Sequence, residues 1–247
     1  AEQIRVFGTM ANKGYIYKGK KTVYWCPHCE TALAEAEIEY GEQKTPTIFV
    51  KMPLVKDNGQ TPEAAKGKKA YMVIWTTTPW TMPANVAVAL NPALEYAWVE
   101  CEGEVLFMAK DLLAQVGAVC HKDLSNVLGT TLGKDMEYAE CVHPFPEYNN
   151  RRSLVVMADY VTTEAGTGCV HTAPGHGDVD FETGLKYKLP ILCPVDSQGK
   201  LTEEAGERFK GMFVFDASIP VLKYLAELNC LLGKDNIKHQ YAHCWRC

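Results

Sequence analysis

Short apolar runs alternate with polar, turn-forming stretches along the chain, and the period of each run indicates its secondary structure. In the first half, strands are predicted over residues 47–54, 70–75, 86–90 and, as a hairpin turning at residues 102–103, over 96–110. Helical spacing is found over residues 32–38 and 111–119, the second with Asp111 as its N-cap. A stretch rich in Gly, Lys, Asp and Asn predicts an exposed loop over residues 56–69.

The second half continues the same alternation. Strands are predicted over residues 154–158, 169–170, 191–195 and 237–241, and a turn over residues 197–199. One helix is predicted over residues 178–187. Another is predicted from Asp216 to Leu232, with an apolar face formed by Ile219, Leu222, Leu225 and Leu228. Many short strands with a few helices favour the α+β class, with a barrel-like mixed β core and peripheral helices.

The composition narrows the class of protein. Hydrophobic residues make up 47% of the 247 positions and charged residues 22%, which is typical of a globular domain with an apolar core. No run of about 18 apolar residues and no signal-peptide pattern is present, so we expect no membrane span and a cytoplasmic location. The chain does not begin with Met, which suggests an excised fragment. The net charge of −5 argues against a protein that wraps nucleic acid, although lysine clusters at 13–21 and 66–69 leave local contact open.

Four of the ten cysteines form two Cys-x-x-Cys pairs, Cys26 with Cys29 and Cys244 with Cys247. Each pair can hold a metal ion from one tight turn, and together they supply the four thiolates that structural zinc prefers. Because the chain has no export signal, reduced thiols are expected, and the other six cysteines are interpreted as small buried hydrophobes.

A zinc ion shared by the two pairs would join the two ends of the chain, as suits a domain inserted into a host protein. We therefore predict a zinc-bearing stem formed by residues 1–45 and 237–247, and a separate core formed by residues 46–236. A redox pair and two unrelated turns are the alternatives, although a redox pair normally opens a helix after a strand. His28 and His243 lie beside the cysteines and could substitute as ligands.

An apolar strand runs directly into three hydroxyl side chains, those of Thr76, Thr77 and Thr78. Pro79 and Pro83 restrict the backbone that follows, and rigid polar loops at strand ends often carry binding and catalytic residues. Threonine also suits strands because it is β-branched, which would explain one or two of the three. Since consecutive side chains point to opposite faces, at least one hydroxyl is expected to face a cavity.

A second polar segment, residues 166–180, combines four glycines with His171, His176, Asp178 and Asp180. Glycine permits positive φ and close approach of the backbone. This content is compatible with a metal site, an acid–base pair or a ligand-binding loop. Dinucleotide fingerprint, P-loop, nucleophile elbow and His-Glu-x-x-His patterns are all absent.

The two polar segments resemble the two editing motifs of the isoleucyl, valyl and leucyl tRNA synthetases. Residues 75–85 fit the isoleucyl version, because the valyl and leucyl versions usually carry Arg at the position of Thr78. The segments around the two cysteine pairs are similar to the two ends of the isoleucyl editing insert. The resemblance covers essentially the whole chain, apart from the variable stretch at 56–69.

The resemblance implies a role for each polar residue. Asp180 would bind the α-ammonium group of a wrongly attached amino acid, and His171 would shape the side-chain pocket and exclude the correct amino acid. Asn85 would be a supporting polar residue. The aminoacyl group, the terminal adenosine and the attacking water would be contacted by Thr76, Thr77 and Thr78. His176 and Asp178 are interpreted as residues that shape the loop.

The implied reaction is post-transfer editing, the hydrolysis of the ester that links valine to the tRNA for isoleucine. A carboxylate can hold an ammonium group through a charge-assisted hydrogen bond, and hydroxyls can hold water without a covalent intermediate. No nucleophile–base pair is evident, so direct attack by a positioned water is favoured, with the tRNA's own hydroxyl as a further aid. One methylene is worth only about 1–3 kcal/mol, for which isoleucine against valine is the standard example, so a second sieve is required.

Three other functions stay open on the sequence. The first is the valyl enzyme's editing domain, which would clear threonine, but Thr78 in place of Arg counts against it. The second is a zinc-stabilised RNA-binding module without catalysis, but the chain lacks interleaved aromatic and basic residues. The third is a hydrolase with catalytic zinc at His171, His176 and Asp180.

Partners follow from the resemblance. We expect a monomer that binds the 3′ end of mischarged tRNA and works beside the rest of a synthetase. No H-I-G-H or K-M-S-K-S stretch occurs, so the chain is not expected to use ATP.

Overall fold

A computed structural model describes residues 1–148 and 150–247. Its helices are α1 (Glu2–Asn12), α2 (Leu113–Cys120), α3 (Asp178–Tyr187) and α4 (Val214–Glu227). Its strands are β1 (Tyr24–Cys26), β2 (Thr31–Leu33), β3 (Ile38–Lys56), β4 (Ala70–Thr76), β5 (Ala87–Leu90), β6 (Glu95–Cys101), β7 (Glu104–Ala109), β8 (Val127–Leu132), β9 (Glu140–Val142), β10 (Arg152–Met157), β11 (Val170–Thr172) and β12 (Leu231–Cys244). None of the helices in the described part of the chain has the length and apolar character needed to cross a bilayer.

Ten strands form one mixed sheet in the order β12-β3-β9-β10-β5-β11-β4-β7-β6-β8, and β3 also pairs with β4. The strand β3 pairs in turn with β12, β4 and β9 along its length, which closes a circuit of six strands, β3-β9-β10-β5-β11-β4. The whole sheet is nevertheless not a closed barrel, because its end strands β12 and β8 do not pair with each other in the residues described. The mixed β core with helices is confirmed, but the ten-stranded sheet as a whole is not a closed barrel, since only six of its described strands form a closed circuit.

The apolar core lies on the strands that carry the predicted site. Residues 72–74 of β4 and all four residues of β5 are fully buried, and Tyr96, Trp98 and Phe107 are the largest side chains enclosed by β6 and β7. Burial of this apolar surface is the main force that fixes the strands relative to one another. The strands β4 and β11 run parallel, with Val170 paired to Trp75, so their carboxyl ends meet at one edge of the sheet.

The two ends of the chain form a long two-stranded ribbon. Residues 38–47 of β3 pair with residues 235–244 of β12, and the small hairpin of β1 and β2 precedes it. Both β3 and β12 run without a break through residues 45–46 and 236–237, where the stem was predicted to meet the core. The division into stem and core stays a prediction.

Several local predictions were wrong for identifiable reasons. Residues 32–38 contain the end of β2 and a 3-10 turn instead of a helix, and the Glu37 carboxylate accepts the N–H of Ala34 within that turn. Residues 191–195 contribute only an isolated bridge between Val195 and Leu201, because their backbone groups bond locally. Asp111 lies in a 3-10 turn before α2 and does not cap the helix through its side chain.

The helix α4 also differs from its prediction. It begins at Val214 and ends at Glu227, and its buried residues are Val214, Ala217, Val221 and Leu225. Ile219, predicted to face the core, is 53% exposed. A strict three-residue spacing drifts by about 60° per step around a helix with 3.6 residues per turn, so the predicted face rotated away from the core. In contrast, α3 is confirmed. The hairpin turn at Glu102–Gly103 is also confirmed, and both of these residues have positive φ angles.

Candidate functional site

A cavity of about 340 Å³ opens between the end of β4 and the segment that leads into β11. One side is lined by Trp75, Thr76 and Thr77, and the other by residues 160–162 and 164–171. The two polar segments singled out in the sequence therefore share one hollow. Its volume lies at the lower end of the range for small-molecule sites.

The threonine segment follows β4 and is held by hydrogen bonds from its own hydroxyl groups. The hydroxyl of Thr76 accepts the backbone N–H of Thr78 at 3.1 Å, and the hydroxyl of Thr81 donates to the Thr78 carbonyl at 2.8 Å. The hydroxyls of Thr77 and Thr78 lie 3.4 Å apart, and both residues are half-buried. These two hydroxyls therefore keep hydrogen-bonding capacity for a ligand or a water molecule.

A 3-10 turn over Pro79–Ala84 follows the threonines and is held from its other side. The Nε2 of the buried His143 lies 2.8 Å from the Met82 carbonyl, and its Nδ1 accepts the N–H of Phe145. The Arg151 guanidinium donates to the Pro83 carbonyl. Burial lowers the pKa of His143 to about 3, so this support is a neutral imidazole.

Two glycines allow the second segment to pack closely against β4 and β7. Gly166 has a φ of +79°, and a Cβ there would lie 2.9 Å from the Trp75 ring. Gly168 has a φ of +70°, and a Cβ there would lie 2.5 Å from the Cβ of Ala109. Positive φ and close contact both require glycine at these positions, which explains the Gly-Thr-Gly sequence that precedes β11.

His171 lies on β11 inside a buried network. Its Nδ1 is 2.7 Å from the Nδ2 of Asn85, and its Nε2 is 3.0 Å from the hydroxyl of Thr81. Asn85, which is fully buried, also donates to the Ala87 carbonyl and accepts from the Ser153 hydroxyl. Burial lowers the pKa of His171 to about 3, with a smaller contribution from His176 in the same direction. His171 is therefore neutral, and both of its ring nitrogens are engaged.

Asp180 lies in the first turn of α3 and is half-buried. Its Oδ2 accepts the N–H of Ala173 at 2.8 Å, which ties the helix to the end of β11. Burial raises the pKa of the Asp180 carboxyl, and the N–H of Ala173 acts in the opposite direction. Asp180 does not itself line the cavity, but Tyr160 does, and the pKa of Tyr160 is raised by burial and by the charge of Asp180.

His176 lies in the loop between β11 and α3, and Asp178 is the first residue of α3. The His176 ring packs edge-on against Trp80, with 5.1 Å between ring centroids, and links the two polar segments. Burial lowers the pKa of His176 to about 4, and its buried Nε2 has no hydrogen-bond partner in the described part of the chain. The exposed Asp178 accepts from the Thr22 hydroxyl. These contacts suit the loop-shaping role expected of both residues.

The four predicted metal ligands are Cys26, Cys29, Cys244 and Cys247. Their sulfur atoms all lie within 4.8 Å of one another, and they are the one metal-compatible group of its kind among residues 1–148 and 150–247. A tetrahedral zinc ion bound at about 2.3 Å to each sulfur requires such a set. Burial opposes ionisation of Cys26, but the N–H of Cys29 and the thiol of Cys247 outweigh it and lower its pKa to about 7.

The donor set therefore fits a structural zinc ion. His28 is not part of this group, and neither is His243. His171, His176 and Asp180 do not form a comparable group, which leaves the catalytic-zinc alternative without support from the geometry.

Three residues of the site were not assigned a role from the sequence. They are Thr81 and Ser153, which belong to the His171 network, and Tyr160, which lines the cavity. Ser153 could have been noticed, because a hydroxyl directly before the predicted apolar strand at 154–158 suggests a buried partner. Nothing in the sequence around Tyr160 marks it as different from other surface tyrosines.

Comparisons with known proteins identify the family of the chain. A family model described as tRNA synthetases class I (I, L, M and V) matches residues 1–242. An isoleucine–tRNA ligase from Caldicellulosiruptor saccharolyticus is 52% identical over 248 aligned residues, which cover 100% of this chain and 26% of that protein. One from Desulforamulus reducens is 49% identical, again over 100% of this chain and 26% of that protein. The chain thus spans about a quarter of the length of these relatives.

Solved structures with the same fold are editing domains. The crystal structure of the P. falciparum cytosolic leucyl-tRNA synthetase editing domain matches with a TM-score of 0.58 and 10% identity, and covers 78% of this chain and 99% of that chain. The P. knowlesi cytosolic leucyl-tRNA synthetase editing domain matches with a TM-score of 0.59 and 10% identity, and covers 82% of this chain and 98% of that chain. At this identity, the comparison establishes the fold alone.

Proposed function

The chain belongs to the class I tRNA synthetase family, and from this premise we propose that it is an isoleucyl editing domain, which hydrolyses valine from the tRNA for isoleucine. The observation that carries the proposal is a cavity that the threonine segment shares with residues 166–171 of the second polar segment. The relatives that span the whole chain are isoleucine–tRNA ligases, which favours isoleucine as the cognate amino acid. Such an activity in protein synthesis fits a cytoplasmic monomer that remains joined to the rest of the synthetase.

The substrate's ammonium group needs an anionic partner. Asp180 is the proposed partner, because its carboxylate is fixed to the end of β11 by the Ala173 N–H and lies near Tyr160 at the cavity. Burial raises the pKa of an isolated carboxyl, but an incoming ammonium group restores the charged form. A charge-assisted hydrogen bond at a half-buried position is stronger than one in water.

The attacking water is the second requirement. His171 is a poor candidate for the general base, because both of its ring nitrogens are already hydrogen-bonded and burial keeps its pKa at about 3. Thr77 lines the cavity and is better placed to orient water and the ester carbonyl, with the neighbouring Thr78 beside it, since both hydroxyls keep hydrogen-bonding capacity. An aminoacyl ester is already reactive, so positioning of water can supply much of the rate.

Selectivity is assigned to the wall formed by His171. A pocket that accepts valine must reject a side chain with only one more methylene, which is worth about 1–3 kcal/mol. To discriminate by this amount of free energy, the pocket needs a rigid wall that does not move to admit the larger side chain. A neutral imidazole held at both nitrogens meets that requirement better than a mobile side chain.

Zinc is proposed to have a structural role at the base of the domain. Cys26, Cys29, Cys244 and Cys247 would hold it, and the ion would fix the two ends of the chain to each other. Such an ion supplies folding free energy and takes no part in the reaction.

Substitution of Asp180 tests the proposal. We expect Asp180→Ala to slow release of valine from valyl-tRNA for isoleucine by about 10- to 150-fold, the equivalent of a charged hydrogen bond of about 1.5–3 kcal/mol. Asp180→Asn should behave similarly, because it keeps the shape and loses the charge. Glu182→Gln is the matched control, since it removes an exposed carboxylate from the same helix. Unchanged turnover in both Asp180 variants would refute the assigned role.

A further inference from the structure

The buried network around His171 extends beyond the residues that the proposed chemistry uses. It runs from Ser153 on β10 through Asn85 and His171 to Thr81 and ends at the backbone carbonyl of Thr78. The side chains of Thr81, Asn85, Ser153 and His171 are all buried, with at most 8% of their surface exposed. Because little water can reach them, each donor and acceptor depends on its protein partner.

The direction of every hydrogen bond in this network follows from one contact, the hydrogen bond between Asn85 and the Ala87 carbonyl. The Ala87 carbonyl can only accept, so the group of Asn85 that faces it at 3.0 Å must be the amide nitrogen. The second hydrogen of that nitrogen then points to the Nδ1 of His171, at 2.7 Å. Nδ1 must therefore accept, and in a neutral imidazole the proton has to reside on Nε2.

The two ends of the network agree with this direction. The hydroxyl of Thr81 donates to the Thr78 carbonyl, so it is free to accept from the Nε2–H of His171. At the other end, the Ser153 hydroxyl donates to the Oδ1 of Asn85, which opposes rotation of the amide by 180°. A rotated amide would place oxygen against both the Ala87 carbonyl and Nδ1.

From this geometry we infer that Ser153 and Thr81 are positioning residues, which act with Asn85 to hold His171 as the Nε2–H tautomer with a fixed ring orientation. Asn85 is then not a substrate-binding residue, because its oxygen and both of its amide hydrogens are used inside the protein. The effect of this lock on selectivity rests on the proposed function, whereas the tautomer itself does not.

The tautomer can be measured directly. In the chain labelled with ¹⁵N-histidine, long-range ¹H–¹⁵N spectra report which ring nitrogen carries the proton, and the His171 signals are identified by their loss in His171→Ala. We expect the wild-type protein to show the Nε2–H form alone at neutral pH. A His171 ring with its proton on Nδ1 would overturn the inference without any variant.

Two substitutions probe the lock. Asn85→Asp places a carboxylate, which can only accept, opposite Nδ1, so we expect the proton to move to Nδ1 or both nitrogens to be protonated. Ser153→Ala removes the group that holds the amide, so we expect a second tautomer to appear, and Ser153→Thr should restore the single form. Thr131→Val is the matched control, because it removes another buried hydroxyl, the partner of Trp98 far along the sheet, and should leave His171 unchanged.

Selectivity gives the second readout. We expect the ratio of valyl to isoleucyl ester hydrolysis to fall about tenfold in Ser153→Ala, in the same direction as in His171→Ala and near the lower limit of what one methylene is worth. If Ser153→Ala keeps both the single tautomer and the wild-type ratio, the inference is wrong. If the wild-type chain hydrolyses neither ester, the proposed function fails, while the nitrogen spectra still decide whether the lock exists.

Discussion

The cavity end and the cysteine end of this molecule are stabilised in different ways. Residues 81–90 beside the cavity are all buried, whereas Cys26 is the one buried residue within the first 46, all of which the structure describes. The cavity end is a packed core in which polar groups bond to one another. The cysteine end is a thin hairpin and ribbon that leaves Tyr24, Trp25 and Trp245 between 43% and 54% exposed.

The difference shows what each region needs in order to hold reactive or metal-binding groups in place. A core positions Thr81, Asn85 and His171 through packing and neutral hydrogen bonds, and no metal or charge is required. A two-stranded ribbon without a core is marginal in water, so it depends on a cross-link. The four cysteine sulfurs lie where such a cross-link would be most effective, between the two ends of the chain.

Removal of the metal ligands is the strongest way to separate the two regions. Structural zinc contributes about 10–16 kcal/mol of apparent binding free energy in small zinc domains, and the ribbon has no apolar core to replace it. We expect Cys244→Ser, or a chelator, to release about one zinc per chain and expose residues 1–45 and 237–247 to proteases, while the sheet remains folded. Elemental analysis, limited proteolysis and circular dichroism measure the three effects.

The matched control for this experiment is Cys193→Ser. Cys193 is an exposed cysteine outside the metal-compatible group, so its loss should change neither zinc content nor protease sensitivity. Two results would contradict the comparison. One is wild-type protein without zinc, and the other is melting of the whole sheet when zinc is removed.

Truncation of apolar side chains is expected to have an intermediate effect on stability. It should destabilise the cavity end, whereas removal of zinc should destabilise the cysteine end. Ile74 on β4 is fully buried, whereas Ile4 on α1 is 77% exposed. We expect Ile74→Ala to lower the free energy of unfolding by about 2–5 kcal/mol, and Ile4→Ala by less than about 0.5 kcal/mol. Urea unfolding followed by circular dichroism measures both. Equal losses of unfolding free energy in the two variants would mean that α1 packs on the core in solution, which would contradict the exposure of Ile4.

The sequence was most informative where function depends on local patterns. The strand that ends at Thr76, the glycines before His171 and the cysteine pairs each carry a short-range signal, and the structure places Thr76 and His171 at one cavity and the four cysteines in one cluster. α3 was predicted with its observed ends, and its acidic first turn is favourable at the start of a helix. The hairpin at Glu102–Gly103 was equally clear, since glycine readily adopts the positive φ that a tight turn requires, and Glu102 adopts it as well.

Contacts between distant segments could not be read from the sequence. Asn85 meets His171 across 86 positions and Ser153 across 68, and neither spacing has a sequence signature. The circuit of six strands depends likewise on β3, whose length allows three separate partners, and pairing between distant strands leaves no periodic trace. The strand predicted over 191–195 failed for a related reason, because an apolar run becomes a strand only where a partner strand is available.

Acid is expected to weaken the cavity end gradually, and the effect is small when counted per residue and per pH unit. Burial lowers the pKa of His143 and His171 to about 3 and that of His176 to about 4, from 6.5. The unfolded chain therefore binds protons that the folded chain does not, and the stability that is complete above pH 6.5 is lost as the pH falls toward 3–4. Each histidine contributes a slope of at most about 1.4 kcal/mol per pH unit.

His143→Gln isolates one of these contributions. Glutamine keeps an amide that can donate to the Met82 carbonyl but does not titrate, so the slope of unfolding free energy against pH should decrease by up to about 1.4 kcal/mol per pH unit. The measurement is urea unfolding at about pH 7, 6 and 5 in the chelated protein, because protons also compete with zinc for the thiolates and would add a second acid-sensitive process. The slope is informative even if the variant is less stable at every pH, since the loss of packing is independent of pH. Parallel lines for the variant and the wild type would show that His143 is protonated in the folded state or accessible to water, and the cavity end would then owe less to buried neutral groups than the comparison requires.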